Sequence, residues 1–199
     1  MANTKTLLEA DQYFHIFNHA VGEENLFNHE ANYIFFLQKL KEYLQYYVDF
    51  YAYCLMPNHF HLIVRIKGSE RIFAELRKKS RFVESKAKEQ DFIAKSVSQR
   101  FSNLYNSYAQ AYNKENNRKG SLFNNRFKRE PIVNEEYLRK VIVYVHNNPV
   151  TAGISPTPDS WPFSSFNSIC SKSPSLIKRK EVIELFEDLN NFKFCHSAE

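Results

Sequence analysis

Two strands and the turn that joins them are predicted within residues 49–67, DFYAYCLMPNHFHLIVRIK. Asp49 to Leu55 is rich in residues that favour strands, Pro57-Asn58 interrupts the pattern, and His59 to Lys67 resumes it. The interruption is too short to hold a crossover helix, so the two strands are predicted to pair as an antiparallel hairpin. The hairpin indicates a fold that is built around a β-sheet.

The second strand of this hairpin carries two histidines on one face. Residues i and i+2 of a strand point to the same side, so His59 and His61 lie together, while Phe60, Leu62 and Val64 point to the other side and supply a core. Imidazole is the commonest metal-binding side chain and accepts many divalent ions. The pair therefore predicts two ligands of one divalent metal. An H-x-H pair by itself is also compatible with two hydrogen-bonded histidines on a solvated strand face.

The rest of the chain alternates between strand patterns and helix patterns. Further strands are predicted over Tyr13–Val21 and Phe127–Val133, the latter at a sheet edge because Pro131 cannot donate a ladder hydrogen bond. Helices are predicted after an Asn28 cap to about Tyr47, over Glu70–Asn117, and over Glu135–Asn147 behind an Asn134 cap, with Pro149 ending the last one. This order predicts an α+β fold, with helices on one face of a mainly antiparallel sheet and the histidine pair on the other.

Length and composition bound the class of protein. The 199 residues suffice for a single domain, 1–199, with a core over about 11–153 and a C-terminal extension over 154–199. The net charge of +5, from 27 basic and 22 acidic residues, favours a polyanionic partner. The chain has three widely spaced cysteines, Cys54, Cys170 and Cys195. Their odd number predicts reduced thiols in the cytoplasm, and no apolar run predicts a signal peptide or a membrane span.

A second group of polar residues lies at the end of the last predicted helix. At about 100° per residue, Tyr144 and Asn148 lie ~40° apart on one flank of the apolar stripe, whereas His146 lies ~160° from Tyr144. A tyrosine hydroxyl is a weak nucleophile and a phosphodiester repels it, so attack on a phosphodiester needs a divalent cation. An asparagine oxygen suits Mg²⁺ or Mn²⁺ as a third ligand. The alternative is a surface tyrosine and a polar residue that caps the helix before Pro149.

The segment 118–129 is strongly basic. It holds five cations and no acid, with Phe123 and Phe127 between them. We predict that Arg126, Lys128 and Arg129 contact DNA phosphates and that one of the two phenylalanines stacks on a base. The alternative is that both phenylalanines are core residues and that the cations only solvate a strand edge.

Three short motifs, taken in order and spacing, resemble a known family. Pro57-Asn58-His59-Phe60-His61-Leu62 is followed about eighty residues later by Tyr144-Val145-His146-Asn147-Asn148-Pro149, and then by Trp161-Pro162-Phe163-Ser164-Ser165-Phe166. The first two resemble the HUH single-strand DNA transposases that use one catalytic tyrosine. The third is similar to the W-x-x-S-S-aromatic element of the branch associated with repetitive extragenic palindromes (REP). The resemblance runs from about Tyr13 to Phe166.

The resemblance implies a ferredoxin-like or RRM-like sheet and a role for each matching residue. His59 and His61 would be metal ligands, Tyr144 would form a 5′-phosphotyrosine link, and Asn148 would stand where relatives place a polar third ligand. The expected cofactor is Mg²⁺ or Mn²⁺, and the expected partner is single-stranded or hairpin DNA. The active form is expected to be a monomer or a homodimer.

Two other functions remain open on the sequence alone. One is a non-catalytic DNA-binding regulator derived from such an enzyme, although a binding module needs neither the two histidines nor the tyrosine. The other is a metal-dependent nuclease that uses water, with Tyr144 only orienting the substrate. At the third ligand position Asn148 is predicted on geometry, with His146 as its rival if the helix unwinds before Pro149.

Overall fold

A four-stranded antiparallel sheet in the order β2-β3-β1-β4 forms the centre of the computed structural model, which describes residues 6–78, 89–124 and 126–197. The strands are β1 Tyr13–His19, β2 Val48–Met56, β3 His59–Ile66 and β4 Lys128–Ile132. Strands β2 and β3 form the predicted antiparallel hairpin, and β4 with Pro131 lies at an edge as expected. The predicted α+β class with a ferredoxin-like antiparallel sheet is confirmed.

Seven helices are present in the described part of the chain. They are α1 Glu30–Leu44, α2 Ser69–Arg77, α3 Glu89–Glu115, α4 Glu135–Thr151, α5 Phe166–Cys170, α6 Arg179–Leu185 and α7 Leu189–Ser197, with a 3₁₀ turn at Pro158–Ser160. Two helices, α2 and α3, occupy most of the predicted span 70–117, whose residues 79–88 lie outside the described ranges. Helix α1 begins after His29, one residue beyond the cap predicted at Asn28. None of the helices described is long and apolar enough to cross a membrane.

One face of the sheet packs against α1 and α3. Phe60 of β3 is fully buried, with its ring centroid 5.1 Å from Phe36 of α1 and 5.5 Å from Tyr105 of α3. Tyr108 of α3 also donates a hydrogen bond to the Leu26 carbonyl in the segment before α1. Removing such a buried ring typically costs about 3–5 kcal/mol, because a cavity remains where the ring was. This layer forms the core behind the histidine face.

The opposite face of the sheet carries α4, packed mainly on β2. The Asn134 side chain caps the helix by accepting from the Tyr137 amide at 2.8 Å, as predicted. The prediction that α4 ends at Asn147 is wrong, because the helix continues to Thr151 with Pro149 inside it. A proline removes one helical hydrogen bond, but here the Ala152 amide still donates to the Asn148 carbonyl at 3.0 Å. Asn148 therefore keeps a helical position.

The motif at 161–166 covers the outer edge of β2. The Leu55 amide donates to the Phe163 carbonyl at 2.9 Å, and the Ser165 amide donates to the Tyr53 carbonyl at 2.9 Å. The Trp161 indole adds a hydrogen bond to the Leu55 carbonyl at 3.0 Å. An uncovered sheet edge presents unpaired backbone groups, so this segment protects β2 and ties the C-terminal residues to the sheet.

Candidate functional site

Four histidines share the face of the sheet that α4 partly covers. His59 and His61 of β3 lie on this face, as the alternation predicts, and β1 adds His15 and His19. The register sets His19 directly opposite His59, with the two rings stacked at 4.6 Å. Sequence reasoning missed the two β1 histidines. Their spacing, four residues apart in a strand, shows that they share a face, but the pairing of β1 with β3 comes from the fold.

His61 is buried rather than solvated. It is 4% exposed, and its Nδ1 lies 2.8 Å from the Nε2 of His15, which is 6% exposed. Burial lowers the pKa of His15 to about 4 and lowers the pKa of His61 well below its ordinary value. Both imidazoles are therefore neutral at neutral pH, and one of them donates the single proton between them. This burial excludes, for His61, the solvated strand face that the H-x-H pair alone left open.

His59 faces two amide oxygens. Its Nδ1 lies 2.7 Å from Asn58 Oδ1, and its Nε2 lies 3.1 Å from Asn148 Oδ1. Burial lowers the pKa of His59, so the ring is neutral and carries one N–H for two acceptors. With that proton on Nδ1 and donated to Asn58, the lone pair of Nε2 faces a lone pair of Asn148 across 3.1 Å.

In that state the imidazole nitrogen and the amide oxygen would both be available as ligands to one cation. Among the described residues, no group of three histidine, cysteine or acidic side chains is arranged to hold a metal. The Asn148 amide oxygen, beside His59, is the candidate third ligand to His59 and His61. Two imidazoles and one amide oxygen fit a divalent cation.

Tyr144 lies beside the same histidines. Its ring centroid is 5.7 Å from that of His61 and 6.3 Å from that of His15, both edge-on. It remains 51% exposed, and its hydroxyl has no hydrogen-bond partner among the residues described. Helix α4 thus brings Tyr144 and Asn148 to the histidine face together, one helical turn apart. An accessible hydroxyl next to a candidate cation site is suited to attack on a phosphodiester.

His146 lies on the other side of α4. It is fully buried, with Nε2 2.7 Å from Ser165 Oγ and Nδ1 2.9 Å from His196 Nε2. Burial, with His196 adding to it, lowers the pKa of His146 well below its ordinary value. This chain of hydrogen-bonded side chains links α4 to the C-terminal helix α7, and it is directed away from His59.

The basic segment divides between the two faces of the sheet. Lys128 is exposed on the histidine face, with Nζ 5.7 Å from the ring centroid of Phe17, which pairs with His61 across the strands. Arg126 is exposed two residues before β4 and lines an open cavity of about 520 Å³ between α3 and residues that include 120–124 and Phe127. These two cations are free to meet phosphates.

Arg129 belongs to the interior side instead. One guanidinium nitrogen donates to Ser98 Oγ at 2.8 Å and to the Thr6 carbonyl at 3.3 Å, and the group stacks 4.2 Å from the Phe127 ring centroid. The prediction that Arg129 contacts DNA loses its support, because alternation along β4 turns it away from Lys128. Phe123 and Phe127 are 7% and 5% exposed, so both are core residues and neither is free to stack on a base.

A solved structure with a similar fold is that of a REP-associated tyrosine transposase bound to a REP hairpin. The two share 17% sequence identity with a TM-score of 0.62, and the likeness covers 87% of this chain and 89% of the other. At that identity the likeness establishes a shared fold alone. No protein-family model matches the chain, and no curated protein matches it.

Proposed function

We propose that this chain is a metal-dependent transposase that nicks and rejoins single-stranded or hairpin DNA through a covalent tyrosine intermediate. One observation carries the proposal. Tyr144 and Asn148 project from one flank of α4 onto the sheet face of His59 and His61, and the Asn148 oxygen meets His59 Nε2 at 3.1 Å. A fold shared with a transposase whose structure holds a REP hairpin supports it further.

The chemistry follows from the residues that converge there. The Tyr144 oxygen forms a bond to the scissile phosphorus and gives up its proton, while the bond from phosphorus to the 3′ oxygen breaks and that oxygen gains a proton. The products are a 5′-phosphotyrosine and a free 3′-hydroxyl. A Mg²⁺ or Mn²⁺ held by His59, His61 and Asn148 would neutralise charge on the phosphate. Rejoining is the same exchange in reverse, with a 3′-hydroxyl attacking the phosphotyrosine.

The partner follows from charge and access. Lys128 supplies positive charge on the histidine face, Arg126 supplies it at the cavity beside α3, and single strands bind along charged surfaces. The half-exposed Tyr144 ring is open to an extended strand. Phe17, which lies between Lys128 and His61, offers a ring on which a base can stack.

The test is the detection of a covalent protein–DNA adduct. The full chain is incubated with Mg²⁺ or Mn²⁺ and end-labelled single strands that include hairpins from the DNA flanking its gene, and the products are separated by denaturing electrophoresis. Label that migrates with the protein, together with a free 3′-hydroxyl on the other fragment, supports the proposal. The Tyr144→Phe variant should bind the same DNA and form no adduct, because only the nucleophilic oxygen is lost.

Two other results would point to the competing functions. Cleavage without an adduct, retained in Tyr144→Phe, would identify a nuclease that uses water. Binding of the same hairpins with neither cleavage nor adduct in either metal would identify a non-catalytic regulator. His29→Gln, a substitution of an exposed histidine near the start of α1, is the control for the loss of an imidazole far from the site.

A further inference from the structure

We infer that His15 and Glu130 hold His61 in the tautomer that protonates Nδ1, so that the Nε2 of His61 presents a lone pair to the site. His15 and Glu130 would then be positioning residues, since both act through His61. The arrangement of protons concerns the free protein, while its use in metal binding rests on the proposed function.

The three residues form a row across three neighbouring strands. His15 of β1 stands opposite Glu130 of β4 in the sheet register, and its other neighbour across the sheet is β3, which carries His61. His15 Nε2 lies 2.8 Å from His61 Nδ1, and His15 Nδ1 lies 3.9 Å from a carboxylate oxygen of Glu130. The contact with Glu130 is electrostatic, because its distance exceeds that of a hydrogen bond.

The Glu130 carboxylate determines which nitrogen of His15, and hence of His61, carries the proton. A neutral imidazole has one N–H, and an ionised carboxylate accepts hydrogen bonds but donates none. If Nε2 of His15 carried the proton, the Nδ1 lone pair of His15 would face the negative charge of Glu130. With the proton on Nδ1 the contact is attractive, which leaves His15 Nε2 as an acceptor. His61 must then donate from Nδ1, and its Nε2 is unprotonated.

Burial of both histidines keeps this arrangement of protons in place. His15 and His61 are 6% and 4% exposed, so water cannot replace the bond between them. A histidine that binds a metal through one nitrogen commonly donates its other N–H to a fixed acceptor, and losing that acceptor lowers metal affinity by about 10–100-fold. For His59 the equivalent acceptor is Asn58 Oδ1 at 2.7 Å. Each candidate ligand thus has its own acceptor.

The experiment reads the tautomer directly in the metal-free protein. The full chain is labelled with ¹⁵N-histidine, and long-range ¹H–¹⁵N correlation spectra of the imidazoles are recorded at pH 7.5. The His61 signals are identified by their loss in His61→Gln. The variants are His15→Phe, which keeps a ring but removes the acceptor, and His15→Gln, whose side-chain oxygen can accept. His19→Phe, on the same strand and face, is the matched control.

We expect wild-type His61 to give the pattern of a protonated Nδ1 and an unprotonated Nε2. In His15→Phe the Nε2-protonated form of His61 should become the major one, and His15→Gln should restore the wild-type pattern. His19→Phe should leave it in place. Calorimetric titration with Mn²⁺ should then give a dissociation constant about 10–100-fold higher for His15→Phe and near wild type for His15→Gln.

Two results would overturn the inference. The first is a wild-type His61 protonated at Nε2. The second is a His61 pattern that is the same in wild type and in His15→Phe, with the other imidazole signals still dispersed as in a folded protein. If the tautomers behave as expected but neither the wild type nor any variant binds Mn²⁺, the proton arrangement stands and the metal role in the proposed function fails.

Discussion

The Asn148 side chain is proposed to be the third metal ligand, through its amide oxygen. A neutral His59 carries one N–H and cannot donate to both Asn58 and Asn148; with that proton on Nδ1, its Nε2 and the Asn148 oxygen would both present lone pairs to a cation. The amide oxygen is a weak ligand compared with a carboxylate. The contribution of residue 148 to metal affinity can therefore be lowered or raised by single substitutions.

We predict that Asn148→Ala raises the Mn²⁺ concentration for half-maximal cleavage by about tenfold, equivalent to ~1.4 kcal/mol of binding free energy. Asn148→Asp keeps an oxygen at the same position and adds charge, so it should lower that concentration. Metal titration of the cleavage rate and calorimetry with Mn²⁺ alone measure both effects. Equal metal requirements in all three proteins would remove Asn148 from the ligand set.

His146 is predicted to behave differently although it is the stronger ligand by type. His146→Ala should lower the free energy of unfolding by about 1–3 kcal/mol, because Ser165 and His196 lose a buried partner. Its metal requirement for cleavage should stay within twofold of wild type at a temperature where the variant is folded. Urea titration and metal titration on the same preparation separate the two properties. A large rise in the metal requirement would mean that His146 is a ligand.

At the scale of the elements, patterns that are local in sequence were predictable and pairings between distant segments were not. Alternation placed His59 and His61 on one face, and helical spacing placed Tyr144 and Asn148 on one flank of α4. The end of α4 was missed because packing on β2 and α7 holds the helix through Pro149 against its local preference. The part played by His15 was missed because it depends on which strand lies beside β3.

Lys128 and Arg129 of β4, and Arg126 two residues before the strand, are predicted to have different electrostatic roles. Arg126→Glu and Lys128→Glu should each weaken single-strand binding and should each lower the slope of log K against log salt by at least ~0.7, the value for one lost phosphate contact. Arg129→Gln should leave that slope unchanged and lower the free energy of unfolding instead, because its guanidinium bonds to Ser98 and Thr6. Binding isotherms at several salt concentrations and urea titrations measure these quantities.

A uniform effect of all three substitutions on the salt slope would contradict this division. It would mean that Arg129 leaves its interior partners when DNA binds. No effect of any of them would put the DNA path on another surface.

For the whole molecule, helices pack on both faces of the sheet, and the histidines buried in the process include His15, His61 and His146. His15 and His61 lie under α4, and His146 lies between α4 and the C-terminal segment. All three have pKa values lowered by burial, that of His15 to about 4. The ordinary value near 6.5 returns when the chain unfolds, so the unfolded state binds more protons below that pH. These three groups therefore cost no stability above about pH 6.5, and they lower it as the pH falls below that value.

We predict that the free energy of unfolding falls between pH 6 and pH 4.5, and that His15, His61 and His146 together contribute a slope approaching about 4 kcal/mol per pH unit, at about 1.4 for each proton. His146→Gln removes one titrating group, so its slope should be lower by about 1.4 kcal/mol per pH unit. Ser165→Ala is the control, because it loses the same hydrogen bond without losing a titrating group and should keep the wild-type slope at a lower stability. Urea titrations at half-unit pH steps give the slopes. A wild-type slope in His146→Gln would show that this histidine is protonated in the folded protein.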